Sequence, residues 1–282
     1  MSPHRPSPSR PLSAQIKAKP DLGHSALWAL NGHGRLVRVT DRGGPVPVDL
    51  PGGWEGHHLV SSGGTLWVTA TQNGRNCLFS LEDDRAGWQL VLELEDLSAL
   101  VADKDGSIWR LGPAALTRLC PSEKTPDLLM DFQAIHVSFS GDGTVWAVGG
   151  DPRFGGSSVW RYAPSEPRWI LLRPPAAAVR IAGAPDGMAW TLNNRGDIWR
   201  LHPNGAGSFN ECGLDRDCIN CLYSKGRERI SDVAVDGAGT VWWVRMGDGG
   251  RVLVEVLTDP STKSSRQIGV INGVRAIAAT II

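Results

Sequence analysis

A short strand-like phrase with a tryptophan at its centre returns six times along this chain of 282 residues. The six residues are Trp28, Trp67, Trp109, Trp146, Trp190 and Trp242, mostly spaced by about 40 residues. A repeat of this length, made of strands and glycine turns, is typical of a propeller blade. The sequence therefore predicts an all-β fold, a six-bladed β-propeller with one repeat in each blade.

Each repeat divides into four short strands. In the fourth repeat they lie at residues 136–139, 144–147, 159–162 and 169–172, and Asp142-Gly143 separates the first two. Asp-Gly between two apolar runs predicts a hairpin, because glycine tolerates the positive φ that such turns require. The blades are therefore expected to be four-stranded. The tryptophans lie in the middle of their strands, where we expect them to pack between blades rather than to bind a ligand.

The chain ends on a further inner-strand sequence, residues 274–279, with no tryptophan strand after it. Since the first tryptophan strand has only a weak partner before it, the C-terminal strand is expected to complete the first blade and close the ring. Closure removes free sheet edges. The propeller is predicted to span residues 21–282. Residues 1–20 are basic and rich in Pro and Ser, and are expected to form a disordered tail.

The phrase Asp-Gly-Thr-Val-Trp-Ala-Val at 142–148, with Val-Trp-Arg-Tyr at 159–162, resembles the tectonin repeat, as does the segment 186–201. The resemblance extends from Ser25 to Ile282 and is closest in blades three to five. Tectonin-type propellers are typically six-bladed sugar-binding proteins, so the resemblance implies a lectin. Virginiamycin-B-lyase-like propellers have a similar blade signature, which keeps a lyase as an alternative.

Long loops rich in glycine, amide, guanidinium and carboxylate groups are expected on one face of the propeller. This long-loop face collects residues 31–34, 54–58, 72–76, 151–154, 193–197 and 245–248. Amides and carboxylates can pair with sugar hydroxyls, and an exposed aromatic ring can cover a sugar's C–H face. Each Asn or Asp is also explained as a turn residue. The candidate ligand-binding residues are Trp54, Asn73, Arg75, Arg153, Phe154, Asn193, Arg195, Asp197, Arg245 and Asp248.

Three histidines on the same face, His33, His57 and His58, are the candidate catalytic residues, because a histidine can act as a general base near neutral pH. Adjacent residues of a strand point in opposite directions, so only one of His57 and His58 is expected to face a given site. The sequence has no nucleophile elbow and no phosphate-binding glycine loop. The alternatives to a lectin are thus a lyase or cyclase with a histidine base at the channel mouth, and a protein-binding scaffold.

Residues 203–229 interrupt the repeat in blade five and contain Cys212, Cys218 and Cys221. Three interpretations stay open: a zinc site with a fourth ligand from His57, His58 or His202, a disulfide beside a free thiol, or three reduced thiols. An insertion of this length also suits a lid or a contact with a protein partner.

Charge and hydropathy exclude some classes of function. The chain has 29 basic and 29 acidic residues, which argues against broad binding to nucleic-acid phosphates. It contains no apolar stretch long enough to span a bilayer and no signal-peptide core. With five cysteines and no such signal, a cytoplasmic protein is expected, with non-classical export as an alternative.

Overall fold

The computed structural model describes residues 25–40, 44–62, 64–82, 87–119, 127–172, 177–202, 221–223, 230–247, 251–259 and 264–281. These residues form six antiparallel sheets, and the only helical element within these ranges is one 3-10 turn, Pro51–Gly53. The predicted six-bladed β-propeller is confirmed. No helix in the described part of the chain is long and apolar enough to cross a membrane.

The first three blades are numbered along the chain. Blade 1 contains β1 (Ser25–Leu30), β2 (Leu36–Thr40) and β3 (Pro45–Val48), together with a strand from the C-terminus. Blade 2 contains β4 (Glu55–Ser62), β5 (Thr65–Gln72), β6 (Arg75–Leu81) and β7 (Gln89–Leu94). Blade 3 contains β8 (Leu100–Ala102), β9 (Ile108–Leu111), β10 (Ala115–Arg118) and β11 (Leu128–Leu129).

The other three blades follow the same order from the channel outward. Blade 4 contains β12 (Ala134–Phe139), β13 (Val145–Arg153), β14 (Gly156–Ala163) and β15 (Glu166–Leu171), and the short β16 (Ala177–Ala178) pairs with β14. Blade 5 contains β17 (Arg180–Gly183), β18 (Ala189–Leu192), β19 (Ile198–Leu201) and β20 (Cys221–Tyr223). Blade 6 contains β21 (Ile230–Val235), β22 (Val241–Met246), β23 (Arg251–Asp259) and β24 (Ser264–Asn272).

The last strand, β25 (Ala276–Ile281), closes the ring. It pairs antiparallel with β1 from Ser25 opposite Ile281 to Leu30 opposite Ala276, and it becomes the inner strand of blade 1. The expected closure is confirmed. Because the two ends of the propeller meet within one sheet, neither β1 nor β25 presents a free edge at this junction.

The six repeated tryptophans hold neighbouring blades together. Each one is less than 10% exposed and lies in a core cluster that includes residues of the next blade. Trp146 of blade 4, for example, packs with Ile181 and Ala189 of blade 5. Trp242 of blade 6 packs with Leu27 of blade 1 across the closure. The expectation that these tryptophans form the packing between blades is confirmed.

Two outer tryptophans add polar links between blades. The indole N–H of Trp88 donates to the carbonyl oxygen of Asp49 at 3.0 Å, and that of Trp169 donates to the carbonyl oxygen of Leu129 at 2.8 Å. In each pair the tryptophan follows its partner by about one repeat, so the bond joins a blade to the one before it.

The inner strands of blades 4 and 5 approach each other closely in the wall of the channel. The N–H of Gly183 donates to Oγ of Ser138 at 2.8 Å, and a Cβ at Gly183 would overlap the carbonyl oxygen of Phe139. Glycine is therefore required at this position for the two inner strands to approach each other.

Candidate functional site

The inner strands β4, β8, β12, β17, β21 and β25 line a central channel. Its half on the long-loop face has a volume of about 430 Å³, which is within the range of small-molecule sites. Six ionisable side chains lie at its opening, and we call them the channel mouth: His57, His58, His136, Arg180, Asp232 and Arg275.

Four of these side chains occupy one equivalent position in the repeat. The residues opposite the six tryptophans are small or apolar, as Val60 is opposite Trp67 and Ala182 is opposite Trp190. Alternation along a strand brings the residue two places earlier onto the same face. In blades 2 to 6 and then blade 1, that residue is His58, Ala99, His136, Arg180, Asp232 and Ala276, and all six line the channel.

β-Bulges precede three of the four ionisable residues. The pairing of inner strand with tryptophan strand shifts between Gly56 and His58, between Ala134 and His136, and between Ile230 and Asp232. A bulge leaves one residue unpaired and re-aims its neighbours, and bulges are frequent beside functional sites. This irregularity precedes an ionisable residue in blades 2, 4 and 6, whereas Arg180 of blade 5 lies on a regularly paired strand.

Blades 4, 5 and 6 contribute one group of the channel mouth, His136, Arg180 and Asp232. Nε of Arg180 lies 3.7 Å from Oδ1 of Asp232, which also accepts a hydrogen bond from the N–H of Val233 at 2.9 Å. The backbone N–H of Ile181 donates to Nδ1 of His136 at 3.4 Å. Since Nδ1 accepts this bond, the neutral imidazole of His136 carries its proton on Nε2.

Burial governs the protonation of this group. It raises the pKa of Asp232 to about 6, although the charge of Arg180 acts in the opposite direction. It lowers the pKa of His136 to about 4, and here the charge of Arg180 adds to the effect. At pH 7 Asp232 is therefore mostly ionised and His136 is neutral.

Blades 1 and 2 contribute the second group. Nε2 of His58 donates to the carbonyl oxygen of Leu97 at 3.0 Å. Burial lowers the pKa of His58, and the charges of His57 and Arg275 act in the same direction, against the hydrogen bond to Leu97. Nη1 of Arg275 lies 3.4 Å from Nδ1 of His57 and 3.8 Å from Oε1 of Glu55.

The structure separates the three candidate catalytic histidines. His57 and His58 both line the channel. That only one of the two side chains faces a given site stays a prediction, and the strand pairing is irregular at His57. His33 lies in the β1–β2 turn, where its backbone N–H donates to Oδ1 of Asn31 at 2.9 Å, and it is not among the residues that line the channel.

Several candidate ligand-binding residues of blades 4 and 5 meet on the long-loop face. The guanidinium of Arg195 lies over the ring of Phe154, 4.1 Å from its centroid, and the N–H of Asn194 donates to the carbonyl oxygen of Gly155 at 2.8 Å. Phe154 is 86% exposed at the end of the β13–β14 hairpin. We call Arg153, Phe154 and Arg195 the hairpin-tip patch.

Other candidates on this face are engaged within their own turns. Oδ1 of Asn193 accepts the N–H groups of Arg195 and Asp197 at 2.9 and 3.0 Å, and its Nδ2 donates to Oδ2 of Asp197 at 2.8 Å. Asn73 adopts a left-handed conformation with φ of 50° in the turn between β5 and β6. Such contacts are typical of Asn and Asp in tight turns.

Three further candidates contact neighbours within the protein. The half-buried ring of Trp54 meets Phe79 edge-on, with centroids 5.2 Å apart. Arg75 forms an ion pair with Glu93. Nη2 of Arg245 donates to Oε1 of the buried Glu255 at 2.6 Å, and Nε1 of Trp243 donates to its other oxygen at 2.7 Å, so these groups form a polar network inside blade 6.

Some predicted residues lie outside the described part of the chain. These are Asp248, Cys212 and Cys218, with most of the insertion 203–229 and the tail 1–20, while Cys221 is described only as the backbone start of β20. Among the described residues, no group of three His, Cys, Asp or Glu side chains is arranged to hold a metal ion. The zinc site stays a prediction.

Sequence reasoning missed His136, Arg180, Asp232 and Arg275. A signal was present, because the inner strands are otherwise small and apolar and four of them carry an ionisable residue two places before the partner of the tryptophan. Finding it required aligning the repeats on the strand pairing rather than on the tryptophan phrases.

Comparison with known proteins supports the architecture. Neither a family model nor a curated protein matches the sequence, so no family confirms the tectonin resemblance. Similar solved structures include TolB from Acinetobacter baumannii, with a TM-score of 0.62 and 14% identity over 91% of this chain and 66% of that one. A chain of a nidogen/laminin complex matches with a TM-score of 0.61 and 8% identity over 90% of this chain and 98% of that one.

A third similar structure is apo AztD from Citrobacter koseri, with a TM-score of 0.52 and 11% identity over 92% of this chain and 98% of that one. At these identities the similarities show the fold alone. The function has to be argued from the site itself.

Proposed function

We propose that this protein is a binding propeller that holds a segment of a partner protein against its long-loop face, with the hairpin-tip patch as the anchor. The observation that carries the proposal is the pair formed by Phe154 and Arg195 at 4.1 Å, with the phenyl ring 86% exposed. Aromatic and arginine side chains are enriched at the centres of protein interfaces, because they bury a large area and bond to the partner.

Other apolar side chains at the same end of the strands extend this surface. Ile135 is 53% exposed beside the channel mouth, and Met246 is 43% exposed at the end of β22. Ile135 follows the loop before β12, and Met246 precedes the loop after β22. Phe154 lies within the loop between β13 and β14, and all three loops open on the long-loop face. Burying exposed apolar side chains of this kind lowers the free energy of a complex. A partner lying across blades 4 to 6 would contact them.

Polar groups of this face already bond to other groups of the protein, which favours a protein partner over a carbohydrate. Sugar recognition needs planar amides and carboxylates with unused hydrogen-bonding capacity. On this face Asn193 and Asp197 bond to each other, and Arg75 is paired with Glu93. A nidogen/laminin complex among the similar structures adds support, since propeller-like chains there occur in a protein complex. Glycan binding by the same face is the alternative outcome of the test.

The proposal is tested by selecting peptides from a displayed random library on the intact protein and by screening the same protein on a glycan array. Phe154→Ala should weaken the selected peptide by at least about tenfold, since truncating an interface anchor typically has this effect. Its unfolding temperature should stay at the wild-type value, because the ring is exposed.

Leu90→Ala is the control, since Leu90 is an exposed apolar residue on the outer strand β7, near the end of the blade opposite the long-loop face. It should bind the peptide as the wild type does. Equal binding by Phe154→Ala and wild type would refute the assigned anchor. Glycans retained on the array without any peptide selected would establish the lectin interpretation instead.

A further inference from the structure

We propose that the channel mouth is a second site, separate from the hairpin-tip patch, and that it binds a small organic carboxylate through Arg180 and His136. The inference rests on a cavity of about 430 Å³ and on the side chains gathered at its opening, and it goes beyond the binding of a partner protein. A cavity of this volume holds a small ligand but is too narrow for a folded partner.

Two hydrogen-bond donors face the channel from neighbouring blades. Nη1 of Arg180 donates to the carbonyl oxygen of Val179 at 2.9 Å and Nε lies near Asp232, but no described residue accepts a bond from Nη2. His136 uses Nδ1 as an acceptor, and its Nε2–H likewise has no acceptor among the described residues. A guanidinium edge beside an imidazole N–H matches the two oxygens of a carboxylate.

The wall beside these donors is apolar. Ile135, Leu111 and Ala99 line the cavity on the side of blades 3 and 4, next to His136. At the ring position shared with the ionisable residues, blades 3 and 1 carry only Ala99 and Ala276, which leaves space in front of the donors. A carboxylate with a short branched or linear hydrocarbon body therefore fits both the polar and the apolar parts of the site.

A structural role does not account for these groups. A channel wall needs small side chains, and those opposite the tryptophans in blades 1, 5 and 6 are Ala278, Ala182 and Ala234. Placing His136 and Asp232 in the wall carries a desolvation cost that shifts the pKa of both side chains. In addition, Nε2 of His57 is buried without a partner among the described residues. Ionisable groups held in this way in a cavity are characteristic of binding sites.

The charges around the site predict how binding depends on pH. The titratable groups of the channel lining around Arg180 and His136 are His57 and His58 on β4, Asp232 on β21 and Arg275 next to β25, and Glu55 lies beside Arg275. Asp232 is the counter-ion of Arg180, and its pKa is about 6. Below that pH Asp232 is neutral, and Arg180 then loses the competing negative charge. Carboxylate affinity should therefore be higher at pH 5.5 than at pH 8.

The probe for the test is 4-methylpentanoate, measured by calorimetric titration into the full chain, with 4-methylpentanamide as the uncharged control ligand. A Kd on the order of 1 mM is expected for a ligand of this size. Arg180→Gln should weaken binding of the acid by about tenfold or more, since it removes a charged donor. Arg168→Gln, at an exposed position of the outer strand β15, should leave it unchanged.

Asp232→Asn provides a second variant whose result does not depend on losing a contact to the ligand. It should raise the affinity for 4-methylpentanoate at pH 8 and remove most of the difference between pH 8 and pH 5.5. Equal binding of the acid and the amide, unchanged binding by Arg180→Gln, or no heat of binding up to tens of millimolar would each overturn the proposal. None of these results affects the peptide site, which is measured separately with Phe154→Ala.

Discussion

Removal of residues 276–282 should leave the protein aggregated or insoluble. This segment contains β25, which supplies the inner strand of blade 1 and pairs with β1 along its whole length. Without it, β1 presents a free edge, and the core cluster across the closure loses Ile277 and Ala279. An exposed, apolar strand edge is a template for association between chains. Size-exclusion chromatography and the yield of soluble protein measure the effect.

A rearranged chain is the control for this deletion. Ser25 lies opposite Ile281, so residues 276–281 placed before Ser25 and joined to it by an Asn-Gly hairpin turn should pair with β1 as β25 does. This chain should be soluble and monomeric although its C-terminus is truncated. A truncated protein that stays monomeric with unchanged thermal stability would show that β25 does not hold the ring closed.

The architecture could be predicted from the sequence because the same strands and turn recur in each blade. The tryptophan strand, the Asp-Gly turn before it and the apolar inner strand recur, so an error in one repeat is corrected by the others. The closure was predictable for the same reason, since residues 274–279 form an inner strand that lacks its own tryptophan strand. These features depend on local sequence and on the count of strands.

The site was predictable only in part. Phe154 and Arg195 were candidates because they lie in loops of the expected face, and the structure places them in contact. Asp232 and Arg180 were not candidates, because each looks like a single polar residue within an inner strand. The placement of Asp232 depends on a bulge that shifts the strand pairing by one residue, and a bulge leaves no clear mark in the sequence, whereas Arg180 lies on a regularly paired strand. Which turn residues bond to each other, as Asn193 does to Asp197, likewise follows from the three-dimensional fold and not from the sequence pattern.

Trp146→Ala should lower the free energy of unfolding by about 3–5 kcal/mol, the usual cost of truncating a large buried aromatic residue. Trp146 is fully buried between blades 4 and 5, and its Nε1 donates to Oγ of Ser140 at 2.8 Å. The substitution would leave a cavity and a buried hydroxyl without this bond. For a chain of this length, the unfolding temperature should fall on the order of 10 °C. Denaturant titration and calorimetry measure the change.

Two substitutions of other aromatic residues calibrate this result. Phe154→Ala removes an exposed ring and should leave stability unchanged, while Trp54→Ala should have an intermediate effect, because the ring of Trp54 packs edge-on against Phe79. The expected order of destabilisation is therefore Trp146, then Trp54, then Phe154. If Trp146→Ala cost no more than Phe154→Ala, packing of the repeated tryptophans would not be what joins the blades, and the six-fold recurrence of Trp would need a different physical cause.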